Sequence, residues 1–286
     1  MNEPIGIFDS GIGGLTVVKE LIKLVPGENL VYFGDTARVP YGTRSVKLIR
    51  QYSLEDAAFL QQFNVKIIIV ACNTASAVAV EMLQDILPIP VTGMIEPGVA
   101  AALEKTRQGR IGVIGTTATI NSQAYNKKIK HLDTLIEVYG QPCPLLVPLV
   151  EEGWIDDEIT RLTVRKYLAP LLEKNIDTII LGCTHFPLIR HLIQEEAGHG
   201  ITLIDSGQEA AKVVQKRLNE RNNSAETGHV GDFKCFVSDI PHKFDEVGTR
   251  FLGKPLVNAR RVDFENFLME RGEKIYEPLN LYEEKV

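Results

Sequence analysis

Short runs of β-branched and other apolar residues alternate along the chain with longer stretches in which apolar positions recur every three or four residues. The runs are typical of buried strands, and the longer stretches are typical of amphipathic helices. Strands are predicted at residues 5–8, 30–33, 67–70, 110–114, 135–139, 177–181, 202–204 and 233–237, with one more starting in the turn 88–91. Helices are predicted at residues 15–24, 46–63, 75–86, 99–105, 123–131, 161–174, 188–195, 208–218 and 244–252. This alternation predicts βα units around mainly parallel sheets.

Two stretches of this pattern repeat each other, and each carries a cysteine at the same place. The first reads IIIVACNTA (residues 67–75), and the second reads TIILGCTHF (residues 178–186). Upstream of each lies a second matching strand, at residues 5–10 and 111–116. A duplicated α/β unit places the two cysteines at the carboxyl ends of equivalent strands, where open α/β sheets bind ligands.

The repeat predicts an α/β fold of two pseudo-symmetric domains with mainly parallel sheets facing a shared cleft. The second cycle of strands and helices begins near residue 97. The polar residues 219–231 predict a loop, and the acidic C-terminus predicts an irregular tail packed on one domain. The alternative is a single sheet of six to eight strands, whose similarity arises because buried parallel strands have similar compositions.

Composition excludes several functional classes. The net charge of −6 gives no basic surface for nucleic acid or for an anionic membrane, and the apolar runs are too short for a spanning helix. The N-terminal residues lack a signal-peptide pattern, so we expect a cytoplasmic protein with reduced cysteines. The four cysteines form no CxxC pair and have no histidine cluster beside them, so no metal site is predicted.

Cys72 and Cys183 are the leading candidates for chemistry. Each ends a strand and begins a turn into a helix, and a helix N-terminus favours the thiolate form. Asn73-Thr74 and Thr184-His185 follow them directly and offer donors to a carboxylate or an amino-acid backbone. The alternative is that each cysteine is a small buried apolar residue, as we predict for Cys143 and Cys235.

Other polar residues at predicted strand ends could support these cysteines. His185 could tune the Cys183 thiol or carry its proton, or it could simply be satisfied at a helix start. Asp9 could bind a ligand ammonium or assist Cys72, or it could cap a helix. The glycine-rich residues 11–16 form a loop that can cradle an anion, but they match no nucleotide motif, so no cofactor is predicted.

Three further segments could contact a ligand. The turn at residues 40–42 could present backbone N–H groups to a carboxylate, although such turns are often only turns. Residues 116–119 offer hydroxyl and amide groups, and residues 151–154 either line the cleft or form an exposed acidic helix start. Together these features describe an acidic amino acid held between two thiols. One thiolate would remove the α-proton while the opposite thiol delivers another, with donors stabilising the carbanion-like state.

The chain resembles the cofactor-independent aspartate/glutamate racemase family, and within it the glutamate racemases. The resemblance spans nearly the whole chain and rests on GIFDSGIGGLT (6–16), YFGDTARVPYG (32–42), ACNTAS (71–76), GTTAT (115–119), LGCTHFP (181–187) and DS (205–206). It implies a first domain of residues 1–97 plus about 208–255 and a second domain of residues 98–207. The packing of residues 256–286 is left open.

The resemblance implies catalytic roles for Cys72, Cys183, Asp9 and His185. It implies substrate binding by Asp9, Ser10, Tyr41, Gly42, Asn73, Thr74, Thr116, Thr117, Thr119, Glu151, Thr184 and His185. It further implies racemisation of glutamate without cofactor, with Cys183 deprotonating L-glutamate and Cys72 D-glutamate. It also implies D-glutamate supply for bacterial peptidoglycan, and a cytoplasmic homodimer. Regulation by a peptidoglycan precursor through an N-terminal extension is not expected, because the chain begins almost at its first strand.

The first of three alternatives is also a racemase, and the other two come from different functional classes. An aspartate racemase shares the paired-thiol plan. A two-domain binding module would close on an acidic amino acid without chemistry, and a thiol redox enzyme would form a reversible disulfide between Cys72 and Cys183.

Overall fold

The computed structural model describes residues 2–240, 244–256 and 258–283. Strands in these ranges are β1 (Ile5–Asp9), β2 (Leu30–Gly34), β3 (Ile67–Val70), β4 (Val91–Thr92), β5 (Arg110–Gly115), β6 (Glu137–Pro142), β7 (Thr178–Gly182), β8 (Thr202–Asp205), β9 (Phe233–Val237) and β10 (Arg260–Arg261). The α-helices are α1 (Leu15–Leu24), α2 (Val46–Gln61), α3 (Asn73–Ile86), α4 (Ile95–Lys105), α5 (Thr117–Asn121), α6 (Ala124–Leu132), α7 (Leu146–Glu151), α8 (Glu158–Leu172), α9 (Arg190–Ala197), α10 (Ser206–Glu220), α11 (Phe244–Leu252) and α12 (Phe264–Glu283). Short 3-10 turns lie at Tyr41–Thr43 and Phe186–Ile189.

These strands form two separate parallel sheets. The order is β10-β9-β2-β1-β3-β4 in the first sheet and β6-β5-β7-β8 in the second. The run β2-β1-β3-β4 therefore has the same order as the whole second sheet, so that β1 corresponds to β5 and β3 to β7. The predicted α/β fold with two pseudo-symmetric parallel sheets is confirmed, and the single-sheet alternative is wrong for the described residues.

The first sheet is completed by the C-terminal part of the chain. Strand β9 pairs in parallel with β2, and β10 pairs with β9. The chain therefore leaves the first sheet after β4, builds the second sheet, and returns. The exact domain boundaries at residues 97, 207 and 255 remain predictions.

Apolar side chains link the two sheets as well as filling each of them. One cluster of buried residues contains Ile7 and Leu15 beside the first sheet and also Leu181 and Phe186 at the end of β7. Burial of apolar surface is the main favourable contribution to folding. This shared cluster therefore stabilises the packing of the two sheets against each other as well as the packing beside each sheet. Ala71 and Cys183, which directly follow β3 and β7, belong to this cluster, so the carboxyl ends of both strands lie at the joint between the two sheets.

The structure corrects two local predictions and adds two short helices. The C-terminal tail is not irregular, because α12 places Phe264, Ile275 and Leu279 at helical spacing and buries them beside α2. The helix expected at residues 188–195 begins with the 3-10 turn Phe186–Ile189. The short helices α5 and α7 were missed, since five or six residues are too few to show a helical period.

Candidate active site

The two candidate cysteines lie directly after equivalent strands. Cys72 follows β3 and caps α3, where its Sγ accepts a hydrogen bond from the backbone N–H of Ala75 at 3.5 Å. Cys183 follows β7 and leads into the turn at Phe186–Ile189. Both residues are 6% exposed.

Cys72 lies among neutral and acidic groups. Its Sγ is 3.5 Å from the hydroxyl oxygen of Ser10, and Asp9 lies beside it at the end of β1. Burial first, and then the charge of Asp9, raise the pKa of Cys72 to about 12. Cys72 is therefore a protonated thiol at neutral pH, ready to donate a proton.

Asp9 is a buried carboxyl with spare acceptor capacity. Its Oδ2 accepts a hydrogen bond from the backbone N–H of Gly11 at 3.0 Å, while Oδ1 is buried without a partner among the described residues. Burial raises the pKa of Asp9, and the charge of His185 lowers it in part. A buried acceptor without a partner is costly, so Oδ1 is well suited to receive a ligand donor.

Cys183 lies beside a histidine and a carboxylate. The His185 Nδ1 is 3.8 Å from Cys183 Sγ, and its Nε2 is 2.9 Å from Glu151 Oε1. Burial lowers the pKa of His185, but its hydrogen bonds with Cys183 and Glu151 outweigh burial and raise the pKa to about 10. A charged imidazolium here places a positive charge 3.8 Å from the Cys183 sulfur. Thr184 lies within the same cluster, with its Oγ1 3.4 Å from His185 Nδ1.

Three threonine hydroxyls form a cluster across the joint between the sheets. Thr74 Oγ1 is 2.9 Å from Thr116 Oγ1 and 3.2 Å from Thr119 Oγ1, and the last two are 3.0 Å apart. The first belongs to α3, and the other two flank the start of α5. Gly42 closes over this cluster, since a Cβ on it would be 3.1 Å from Thr116 Cβ. Thr117 is exposed at the first position of α5.

Two predicted binding residues direct their polar atoms into the protein. The Tyr41 hydroxyl donates to Asp35 Oδ2 at 2.5 Å and is 2.9 Å from Asp56 Oδ2. The Asn73 carboxamide accepts from the Tyr125 hydroxyl at 2.7 Å, and its Nδ2 lies 3.3 Å from Ser206 Oγ. Contact of the Tyr41 and Asn73 side chains with a ligand therefore remains a prediction.

The structure adds groups that sequence reasoning did not select. Arg38 contacts the carboxylates of Asp35, Glu55 and Asp56 beneath the turn that carries Tyr41. Asp35 and Arg38 lie with Tyr41 in the YFGDTARVPYG segment, so the sequence motif already indicated that they belong near the site. Ser206 belongs to the DS motif (205–206), whereas Tyr125 and Phe251 lie in no motif and reach the site from distant parts of the chain.

Phe251 makes a direct contact with the ring of His185. Its ring lies edge-on to the His185 ring, with centroids 4.9 Å apart and planes at 80°. Phe251 is fully buried on α11. The histidine ring is therefore fixed by packing as well as by hydrogen bonds.

Metal-ion clusters and membrane-spanning helices are both absent from the described ranges. No group of three or more His, Cys, Asp and Glu side chains there is arranged to hold a metal ion. No helix in that part of the chain combines the length and apolar character needed to cross a membrane.

Residues 5–214 match the family model described as Asp/Glu/Hydantoin racemase. The chain is 52% identical to a glutamate racemase of Geobacter metallireducens over 261 residues, covering 91% of this chain and 97% of that protein. Its fold is similar to a crystal structure of a glutamate racemase isoform from Bacillus anthracis, with a TM-score of 0.88 and 40% identity over 91% of this chain and 97% of that one. It is also similar to glutamate racemase from Francisella tularensis in complex with D-glutamate, with a TM-score of 0.87 and 41% identity over 93% and 99% of the two chains.

Proposed function

The chain belongs to the Asp/Glu/Hydantoin racemase family and is an isomerase that acts on amino acids, and we propose that it interconverts L- and D-glutamate through two thiols. The observation that carries this proposal is the pair Cys72 and Cys183, placed at the ends of the equivalent strands β3 and β7. The glutamate racemases to which the chain is similar support the choice of substrate.

The unequal surroundings of the two thiols support a direction for the first proton transfer. His185, held by Glu151, lies beside the Cys183 sulfur, whereas burial and Asp9 keep Cys72 protonated. In the L-to-D direction the Cys183 sulfur would take the α-proton from one face, and Cys72 would give its proton to the other face. The reaction ends with Cys72 as thiolate and Cys183 as thiol, and the reverse reaction starts from that state.

The carbanion-like state needs donors at the α-carboxylate, because the Cα–H of an amino acid is a very weak acid. Backbone N–H groups at the start of α3 and the Thr184 hydroxyl lie beside the two thiols and could supply them. The hydroxyl cluster of Thr74, Thr116 and Thr119 offers a second carboxylate site. The free Oδ1 of Asp9 would accept from the substrate ammonium.

The cellular role follows from the product. We propose that the protein supplies D-glutamate for peptidoglycan synthesis in the cytoplasm and works as a homodimer without a cofactor. Aspartate racemisation is the alternative reaction, and binding of an acidic amino acid without chemistry is the alternative class.

The proposal is tested by incubating the protein with L-glutamate in D2O without added cofactor. We expect the optical rotation to be lost and deuterium to be incorporated at Cα. The incorporation is measured by NMR. Cys72→Ala and Cys183→Ala should each abolish racemisation, because each removes the acid or base on one face. The same assay with L-aspartate separates the two substrates.

Each alternative has a distinct outcome in this experiment. Racemisation of aspartate but not of glutamate would identify the protein as an aspartate racemase. Binding of glutamate with no deuterium at Cα, in folded and reduced protein, would favour the binding module. Full racemisation in either alanine variant would overturn the two-thiol mechanism.

A further inference from the structure

The glycine-rich loop between β1 and α1 lies against the segment that carries Cys183. A Cβ on Gly13 would be 2.2 Å from Thr184 Oγ1 and 2.7 Å from His185 Cε1. Non-bonded heavy atoms do not pack that closely, so the Gly13 backbone touches both side chains with no space for a methyl group. This loop matched no nucleotide motif, and its close contact with Thr184 and His185 gives it a different role.

Thr16, in the first turn of α1, ties the same two segments together. Its Oγ1 is 3.1 Å from the carbonyl oxygen of Thr184 and 3.0 Å from that of Gly13. A threonine hydroxyl has one proton, so the two carbonyls share it. Thr16 is 7% exposed, which keeps water from replacing either contact readily.

Helix α11 closes the opposite side of His185. Phe251 packs edge-on against the imidazole, and the Nη1 of Arg250 donates to the Glu151 carbonyl at 3.0 Å. Helix α11 packs on α1. The histidine is therefore held from the side of the first sheet, although Cys183 and His185 follow β7 of the second.

The two cysteines differ in this respect. The neighbours of Cys72 are Asp9 and Ser10, at the end of a strand that pairs with β3 in the same sheet. His185, the neighbour of Cys183, is held by Glu151 and also by Gly13 and Phe251, which lie on the side of the other sheet. The reactivity of Cys183 therefore depends on how the two sheets pack against each other.

We propose that Gly13, Thr16 and Phe251 are positioning residues that hold His185 at the distance from which it activates Cys183. This deepens the proposed racemase function by assigning a role to the glycine-rich loop. The positioning role does not depend on which substrate is used, because it concerns the reactivity of the Cys183 thiol in the free protein.

The test measures the alkylation of each cysteine by iodoacetamide, followed by peptide mass spectrometry. Thr16→Val removes the shared proton and should slow alkylation of Cys183 about fivefold, the scale of one lost hydrogen bond, while Cys72 is unchanged. Thr16→Ser keeps the hydroxyl and should restore the rate at Cys183. Cys143 and Cys235, which are 0% and 2% exposed, serve as unreactive references.

A second pair of variants tests the close approach of the loop. Gly13→Ala should slow Cys183 alkylation as Thr16→Val does, because the methyl displaces Thr184 and His185. Gly11→Ala is the matched control in the same loop, since its Cβ would meet only the exposed Val39, with Cγ2 at 3.3 Å. It should leave the rate at Cys183 as in the parent.

Three results would overturn the proposal. They are an unchanged or faster rate at Cys183 in Thr16→Val, equal slowing at both cysteines, and equal effects of Gly11→Ala and Gly13→Ala. Near-ultraviolet circular dichroism confirms that each variant is folded. Because no substrate is present, failure here leaves the racemase assay untouched, and failure of that assay leaves this result standing.

Discussion

Replacing Arg38 by glutamine is expected to leave three buried carboxylates without the cation that they share. Arg38 Nε is 2.6 Å from Asp35 Oδ2, Nη2 is 3.1 Å from Asp56 Oδ1, and Nη1 contacts Glu55. The three carboxylates are 0–1% exposed. The guanidinium also lies 3.9 Å from the centroid of the Tyr52 ring.

The magnitude follows from these contacts. Removing one partner of a buried ion pair typically costs about 3–5 kcal/mol, because the remaining charge is left uncompensated. Loss of the cation–π contact adds roughly 0.5–1 kcal/mol. We therefore expect the Arg38→Gln variant to lose about 4 kcal/mol, a large fraction of a typical stability of about 5–15 kcal/mol.

The loss of unfolding free energy in the Arg38→Gln variant should depend on pH in a defined direction. Burial raises the pKa of Asp35 and Asp56, and the charge of Arg38 lowers both. Without Arg38 these pKa values rise further above those of the unfolded chain. A carboxyl whose folded pKa is raised destabilises the fold above its unfolded pKa, and the penalty falls as pH drops through the folded pKa. The variant should therefore be least stable relative to the parent near pH 8 and recover toward pH 5.

The assay is urea denaturation, followed by circular dichroism, of parent and variant at several pH values. Arg44→Gln is the matched control, because it removes the same charge from an exposed position near the same turn and should cost less than about 0.5 kcal/mol. A loss below about 1 kcal/mol for Arg38→Gln, or a loss that does not change between pH 5 and pH 8, would refute the reasoning.

Three further variants test the site itself. Glu151→Gln removes the partner that helps to raise the pKa of His185 to about 10, so the alkaline limit of kcat/KM should move to lower pH in a pH–rate profile. Tyr125→Phe leaves the Asn73 carboxamide oxygen without its 2.7 Å donor and should lower the free energy of unfolding by about 1 kcal/mol, measured by urea denaturation. Phe251→Leu removes the ring that packs on His185 and should lower kcat more than it raises KM for glutamate, as steady-state kinetics would show.

Local sequence was sufficient to predict the strand ends that carry the chemistry. The apolar runs before Cys72 and Cys183 are buried strands with no polar interruption, so their ends were visible in the pattern. The equivalence of those two strand ends followed from the repeat, because β3 and β7 occupy equivalent places in the two sheets. Residues 151–154 were expected either to line the cleft or to form an exposed acidic helix start, and the contact of Glu151 with His185 was not predicted.

Contacts between distant segments could not be predicted in the same way. The Tyr41 hydroxyl is directed toward Asp56, and Asn73 toward Tyr125, because the packing of α2 and α6 brings those partners close. No periodicity encodes such a pairing. Helix α12 was missed for another reason, since its few buried apolar positions are diluted by acidic residues.

The pairing of β2 with β9 has a consequence for synthesis on the ribosome. About 200 residues separate the end of β2 from the start of β9, so translation at about 5–20 residues per second leaves that edge of β2 uncovered for roughly 10 to 40 s. An uncovered strand edge can pair with another chain, so β2 is open to pairing with other chains during this interval. Strands β5 to β8 are contiguous in the chain and need no later segment. The sheet that is started first during translation is therefore completed last.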